Sequence, residues 1–198
     1  MSTTNCIEIF VLAGGKSSRM GQDKGLMIVN NKPMIKHLLD ELNKLEFPVK
    51  IIANSKDYNI FGFETISDII AEKGPMGGLY TALQNTKADY VFLIGCDMPF
   101  ISHTVINRLT EQVDGSDVTV AIERDKINPL FAVYKCSIIN EVEKLIVNNT
   151  LKMNGLIMSL NHKLVSIDEY VLLQPNLFLN MNTLNDIINI HQLWNTLE

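Results

Sequence analysis

"YVFLIGCD", Tyr90–Asp97, is a continuous apolar run that ends in a carboxylate. A strand with one wet face alternates apolar and polar residues. A strand covered by helices on both faces is apolar throughout. The run therefore predicts a central parallel strand with Asp97 at its C-terminal rim. Outward from it, short apolar runs alternate with helical patterns. "CIEIFVLA" (Cys6–Ala13), "VKIIAN" (Val49–Asn54) and "FETIS" (Phe63–Ser67) read as strands. "PMIKHLLDELNKL" (Pro33–Leu45) has proline near its start and Ile35, Leu38, Leu39, Leu42 and Leu45 at helical spacing. "GGLYTALQNT" (Gly77–Thr86) reads as a helix after a Gly-Pro turn.

Beyond Asp97 come a helix at His103–Val113, strands at Asp117–Glu123 and Leu130–Lys135, and a helix over about Ser137–Asn148. The last third is less regular, with a strand expected at Lys163–Ile167. A final helix would be capped by Thr183, with Asp186 three residues on. This alternation implies an α/β fold: three layers around a mostly parallel sheet, in one domain spanning residues 1–198. Ligands of such sheets bind beyond the carboxyl ends of the strands. The loops after Leu12, Asn54, Ser67 and Asp97 should converge on one crevice.

With 46% apolar residues, the 198-residue chain can bury a sizeable core. Its formal net charge of −5 argues against a general binder of nucleic acid or anionic membrane, which would carry a basic excess. No segment approaches the ~20 apolar residues that cross a bilayer, and the N-terminus lacks the pattern of a signal peptide. Cys6, Cys96 and Cys136 are far apart and match no zinc spacing. They read as reduced and mostly buried, which fits a cytoplasmic protein.

The first strand runs into "VLAGGKSSRMGQDKG" (Val11–Gly25), which holds four glycines and three cations. Glycine lets backbone N–H groups approach a ligand, and successive N–H groups form an anion nest. Lys16, Arg19 and Lys24 add charge. The string is neither of the two common nucleotide signatures, G-x-x-x-x-G-K-[ST] and G-x-G-x-x-G. Composition alone leaves a phosphate cradle and a plain surface loop both open.

Residue by residue, Leu12 to Lys24 (L-A-G-G-x-S-x-R-M-G-x-D-K) resembles the signature of nucleotidyltransferases that transfer a nucleoside monophosphate. Gly14-Gly15 and the "DKG" ending resemble the molybdenum cofactor guanylyltransferase branch. "NKPMIKH" (Asn31–His37), with Asn31 where the family has glycine, Asn54, Asp68, "GPMGGL" (Gly74–Leu79), "CDMPF" (Cys96–Phe100), "NPLFAVY" (Asn128–Tyr134) and "NMNT" (Asn180–Thr183) follow in family order. The resemblance spans roughly the whole chain and weakens between Ser137 and Val171.

The resemblance implies a Rossmann-like nucleotidyltransferase fold. It also implies attack of a phosphate oxygen on the α-phosphorus of GTP, with loss of pyrophosphate. Backbone N–H groups of Gly14, Gly15 and Lys16 would hold phosphates, and Arg19 would grip the β- and γ-phosphates with both arms of its guanidinium. Lys24 would stand at the α-phosphate as a point charge. Asp97 would hold Mg²⁺, which takes one or two carboxylates with phosphates and water. Asn182 is the matched second ligand, beside Asn180. Leu12, Ala13, Asn54 and Asp68 would read the base, Asp68 by accepting from guanine N1–H and its amino group. Gly74, Gly77 and Gly78 would bring backbone to the nucleotide at a helix start. The second substrate is expected to be molybdenum-bound molybdopterin. For it the chain offers Lys152, where relatives often carry arginine, with Arg124, Lys126 and Asn180 nearby. Molybdopterin-handling proteins and apo-molybdoenzymes are the expected protein partners.

Each residue also has a plainer reading. Lys24 could be a solvated lysine, Asp97 a strand-end turn residue, Asp68 a loop cap, and Asn180 and Asn182 helix caps. The four histidines lack a nucleophilic partner at diagnostic spacing and read as structural or surface groups. Cys96, beside Asp97 on a strand, should pack inward, since strand neighbours face opposite ways. Three rival functions stay open: a sibling enzyme using CTP or a sugar or alcohol phosphate, a non-catalytic nucleotide-binding chaperone of the same fold, and a flavodoxin-like binding domain.

Overall fold

β1 (Ile7–Leu12) opens a seven-stranded sheet in this computed structural model, which describes residues 6–14, 23–179 and 181. There follow a small hairpin, β2 (Ile28–Val29) and β3 (Lys32–Pro33), helix α1 (Met34–Leu42), β4 (Val49–Ile52), β5 (Glu64–Ile66) and α2 (Gly74–Gln84). Next come β6 (Tyr90–Gly95), α3 (His103–Thr110), β7 (Val118–Glu123), β8 (Lys126–Lys135), α4 (Ile139–Val147), α5 (Met153–Ser159), β9 (His162–Ser166) and α6 (Asp168–Leu173). The strand order is β5-β4-β1-β6-β8-β7-β9. Only β8 runs against its neighbours, antiparallel to both β6 and β7. The other six are mutually parallel, so their C-terminal ends share one edge.

Alternation along the central strands builds the three layers. Ile9 and Val11 of β1, with Phe92 and Ile94 of β6, face α1 and α3, where Ile35, Leu38, Leu39, Leu42, Val105, Ile106 and Leu109 pack. Phe10, Val91 and Leu93 face the other way, onto α2, α4 and α5. Both faces are covered, and that is why Tyr90–Gly95 is buried along its whole length.

Differences from the sequence reading have local causes. α1 ends at Leu42 rather than Leu45, as Asn43, Lys44 and Leu45 close the turn through N–H bonds to Leu39, Glu41 and Leu42. α2 starts three residues early, at Gly74, because Pro75 falls in its first turn, where a missing N–H costs nothing. β8 starts at Lys126, since the two-residue link Arg124-Asp125 turns β7 back as a hairpin. α5, α6 and the β2–β3 hairpin were not anticipated. The hairpin turns on Asn30 and Asn31, both at positive φ (43° and 61°). Asparagine is among the few side chains that accept this conformation, so Asn31 can stand in for the family's glycine. The expected Thr183 cap lies outside the described residues. Of the cysteines, Cys96 is buried, Cys136 half-buried and Cys6 exposed, so "mostly buried" fails at Cys6, just ahead of β1.

Candidate functional site

The parallel strands deliver their C-terminal loops to one edge of the sheet, and the residues that close the site meet there. Lys24 Nζ lies 3.0 Å from Asp97 Oδ2 across 73 residues of sequence. The two side chains are 18% and 22% exposed, so a cation and a carboxylate face the same partly open rim. For a mostly buried pair the desolvation cost offsets much of the attraction; its importance lies in where it puts the charges. Asp97 follows the buried end of β6 directly. A Cβ on Gly95 would stand 2.8 Å from Asp97 Oδ1, so the carboxylate depends on a glycine two residues upstream. The sequence carried a signal for this, a glycine inside a buried strand, and it was missed.

The second pair is Asn54 and Asp68, at the ends of β4 and β5. Asn54 Nδ2 donates to Asp68 Oδ2 and Asp68 N donates to Asn54 Oδ1, both at 3.0 Å. Asn54, expected to touch the base, bonds Asp68 through both its amide groups. Asp68 Oδ1 is buried and has no hydrogen-bond partner among the described residues. Burial pushes the Asp68 carboxyl above the usual carboxylate range. One residue on, Ile69 N donates to Thr81 Oγ1, tying this loop to α2.

Gly78 is buried within α2, and a side chain there would collide with Leu12. Its missing Cβ thus lets α2 press against the end of β1. Gly78→Ala should cost about 1–3 kcal/mol, read as a lower urea midpoint at unchanged slope. An unaltered midpoint would mean the helix can shift freely.

Tyr58, Asp23 and Cys96 pack together beside Gly14 and Gly25 and were not singled out from sequence. Tyr58 is fully buried in a 3-10 helix, Lys56–Phe61, and its hydroxyl donates to Asp23 Oδ1. The same oxygen accepts from Gly25 N at 3.1 Å and caps the 3-10 turn Lys24–Leu26. Gly25 has no room for a side chain against the Tyr58 hydroxyl and Cys96 Sγ. Gly14, at φ +82°, requires glycine, and its backbone bonds the Cys96 thiol. Burial pushes that thiol up to about 12, which keeps it protonated, in line with inward packing.

Ala13 is buried, with its N–H on Ile52 O, while Leu12 is half-buried. Arg124 and Lys152 are exposed. Arg124 occupies the β7–β8 turn at the site's edge of the sheet, held at φ 52° with its N–H on Asp168 Oδ1 at 2.8 Å. Lys152 is the N-cap of α5. Gly15, Lys16, Arg19, Asn180 and Asn182 lie outside the described residues. Met181, between the last two in sequence, is buried and donates its N–H to Asp97 O at 3.1 Å. The described histidines are structural: His37 Nε2 sits on Val29 O, His103 on Glu41 and His162 on Leu160 O.

Among the described residues no three His, Cys, Asp or Glu side chains cluster into a metal cage. A single strand-end carboxylate fits Mg²⁺, which takes most of its other ligands from phosphates and water.

A family model, the MobA-like NTP transferase domain, matches residues 9–163. The chain belongs to this family. The MobA-like match covers the described site residues and stops short of Asn180 and Asn182. A probable molybdenum cofactor guanylyltransferase of Flavobacterium johnsoniae is 34% identical over 161 residues, 81% of this chain and 85% of that one. A molybdenum cofactor guanylyltransferase of Shewanella piezotolerans is 33% identical over 186 residues, 91% of this chain and 89% of that one. Among solved structures, molybdopterin-guanine dinucleotide biosynthesis protein A of Archaeoglobus fulgidus superposes with a TM-score of 0.80 at 21% identity, covering 96% of this chain and 99% of that one. CMP:2-keto-3-deoxy-manno-octonic acid synthetase, complexed with CTP, shares the fold at a TM-score of 0.77 and 13% identity, covering 98% of this chain and all of that one. The MobA-like chain therefore has a nucleotidyltransferase fold. No helix among the described residues is long and apolar enough to cross a membrane.

Proposed function

We propose that this chain, acting as one domain, transfers GMP from GTP to the phosphate of molybdenum-bound molybdopterin. The products are the molybdopterin guanine dinucleotide cofactor and pyrophosphate. The observation that carries the reading is the Lys24–Asp97 pair, 3.0 Å apart at the sheet edge. It occurs in a chain about one-third identical to proteins named molybdenum cofactor guanylyltransferase.

A phosphate oxygen of the pterin attacks the α-phosphorus, the bond to the bridging oxygen breaks, and pyrophosphate leaves. Two anions must meet, so catalysis is mainly positioning and charge neutralisation. Asp97 holds Mg²⁺, with Asn182 as a second oxygen ligand. When bound, the ion neutralises charge on the α-phosphate. Lys24 turns its ammonium from Asp97 to the α-phosphate oxygens as negative charge builds there. Lys16, Arg19 and the N–H groups of Gly15 and Lys16 hold the leaving phosphates. Asp68, oriented by Asn54, accepts from the guanine N1–H and amino group, and the backbone of Leu12 and Ala13 lies beside the base. Arg124, Lys152 and Asn180 face the pterin. The enzyme works in the cytoplasm, taking its pterin from molybdopterin-handling proteins and delivering product to apo-molybdoenzymes.

Binding of GTP, CTP, ATP and UTP in Mg²⁺, followed by pyrophosphate release with loaded molybdopterin, tests this. GTP should bind at least about tenfold better than the others, and release should need both substrates. Preference for CTP would make the chain a sibling enzyme. Nucleotide binding without release would make it a non-catalytic chaperone.

Asp68→Asn should narrow the GTP preference about 10- to 100-fold, the range of one bidentate base contact. It should also raise Tm at neutral pH. The folded carboxyl titrates above its unfolded value, so holding it ionised costs stability above that folded pKa. That cost disappears on acidification through the folded pKa, and the Tm advantage of the variant should disappear with it. Unchanged selectivity would place base reading elsewhere.

A further inference from the structure

We infer that Tyr58 and Asp23 are positioning residues for Lys24, acting through a hydroxyl–carboxylate bond beside the Lys24–Leu26 turn. The inference rests on the nucleotidyl-transfer reading above. Asp23 immediately precedes Lys24, and its Oδ1 accepts from both the Tyr58 hydroxyl and Gly25 N. The carboxylate thus ties Gly25, on the far side of Lys24, to the Tyr58 hydroxyl. Its other oxygen, Oδ2, faces Gly14, 3.6 Å from where a Cβ would stand. One side chain therefore joins the outgoing stem of the loop at Gly14 to the returning stem at Asp23–Gly25. Cys96 completes the cluster, touching both stems and preceding Asp97.

The anchor comes from a third element. Tyr58 lies on the segment after β4, packed beside Phe61 with ring centroids 6.2 Å apart. A phenylalanine would fill the same apolar space, so the hydroxyl contributes only its bond to Asp23. A buried hydroxyl that lost its partner would cost a few kcal/mol, and a bond to a charged acceptor is stronger than a neutral one. The bond therefore sets where the Asp23–Gly25 turn rests on the core. The Lys24 side chain starts from that turn and must end at a fixed point beside Asp97. Neither Tyr58 nor Asp23 needs to touch the nucleotide.

Steady-state kinetics of pyrophosphate release, in the wild-type and Lys24→Ala backgrounds, test this. Tyr58→Phe should lower kcat about 10- to 100-fold, the scale of a small misplacement of a catalytic group, with the KM for GTP changed less than about threefold. In the Lys24→Ala background the same change should have no further effect on kcat, because nothing remains to be positioned. An unchanged kcat, or an equal loss in both backgrounds, overturns the inference and leaves a merely structural hydroxyl. If Tyr58→Phe does not fold, Asp23→Asn in the same two backgrounds carries the test with the same expected pattern. A wild-type protein that releases no pyrophosphate would instead sink the transfer reading itself.

Discussion

Asp97→Ala should lower pyrophosphate release at least about a thousandfold, with the protein still folded. Two losses coincide in one substitution. The carboxylate proposed to hold Mg²⁺ disappears, and the charge of two reacting anions is left unscreened. Removing one preorganised electrostatic contact commonly costs ~10²–10³ in kcat, and here the contact also anchors an ion. Lys24 loses its partner 3.0 Å away as well. Stability should fall, because the pair is only about one-fifth exposed and the substitution leaves the Lys24 charge without this partner. Circular dichroism and thermal unfolding therefore serve as the control: an inactive variant that is still folded at the assay temperature supports the assignment. Activity within a few-fold of wild type would remove Asp97 from the chemistry. Asp97→Asn should also be inactive, which separates charge from shape, since the amide fills the same space beside Gly95.

Lys24→Ala should lower kcat about 10²- to 10³-fold while changing the KM for GTP less than about threefold. The ammonium is held by Asp97, and in the proposed mechanism it passes to the α-phosphate during reaction. Its interaction therefore strengthens as charge develops on the phosphorus oxygens, and only such differential binding raises kcat. A rise in KM at unchanged kcat would mean that Lys24 merely holds the triphosphate. Lys24→Arg should not restore the rate. The guanidinium is a planar fork, not a compact point charge, and the space around the Asp23–Gly25 turn is already filled by Tyr58 and Cys96.

The site was legible in unequal parts. Lys24, Asp68 and Asp97 could be named from the chain because each sits at a fixed offset from a strand end or within a dense motif. That Lys24 and Asp97 touch was not written in either segment. Asn54 was named for the base, and its reciprocal bonds to Asp68, which tie the two named residues into one unit, could not be read from the chain. Gly78 was named for closeness to a ligand, and its close approach to Leu12 was not legible in the chain. Tyr58 left no trace in sequence, because a lone tyrosine after a strand has the same local pattern whether it faces water or a carboxylate.

Local pattern alone determined the α/β class, the mostly parallel sheet and the central place of Tyr90–Gly95, because burial on both faces demands unbroken apolarity. It also determined that a basic glycine-rich loop would follow β1 and that a carboxylate would end β6. Only the tertiary structure decided which side chains meet: Lys24 with Asp97, Asn54 with Asp68, and Tyr58 with Asp23. Backbone preference and strand periodicity act over a few residues, whereas these contacts join segments 14 to 73 residues apart. Distances between such segments are set by how the whole sheet stacks, and no short window of sequence contains them.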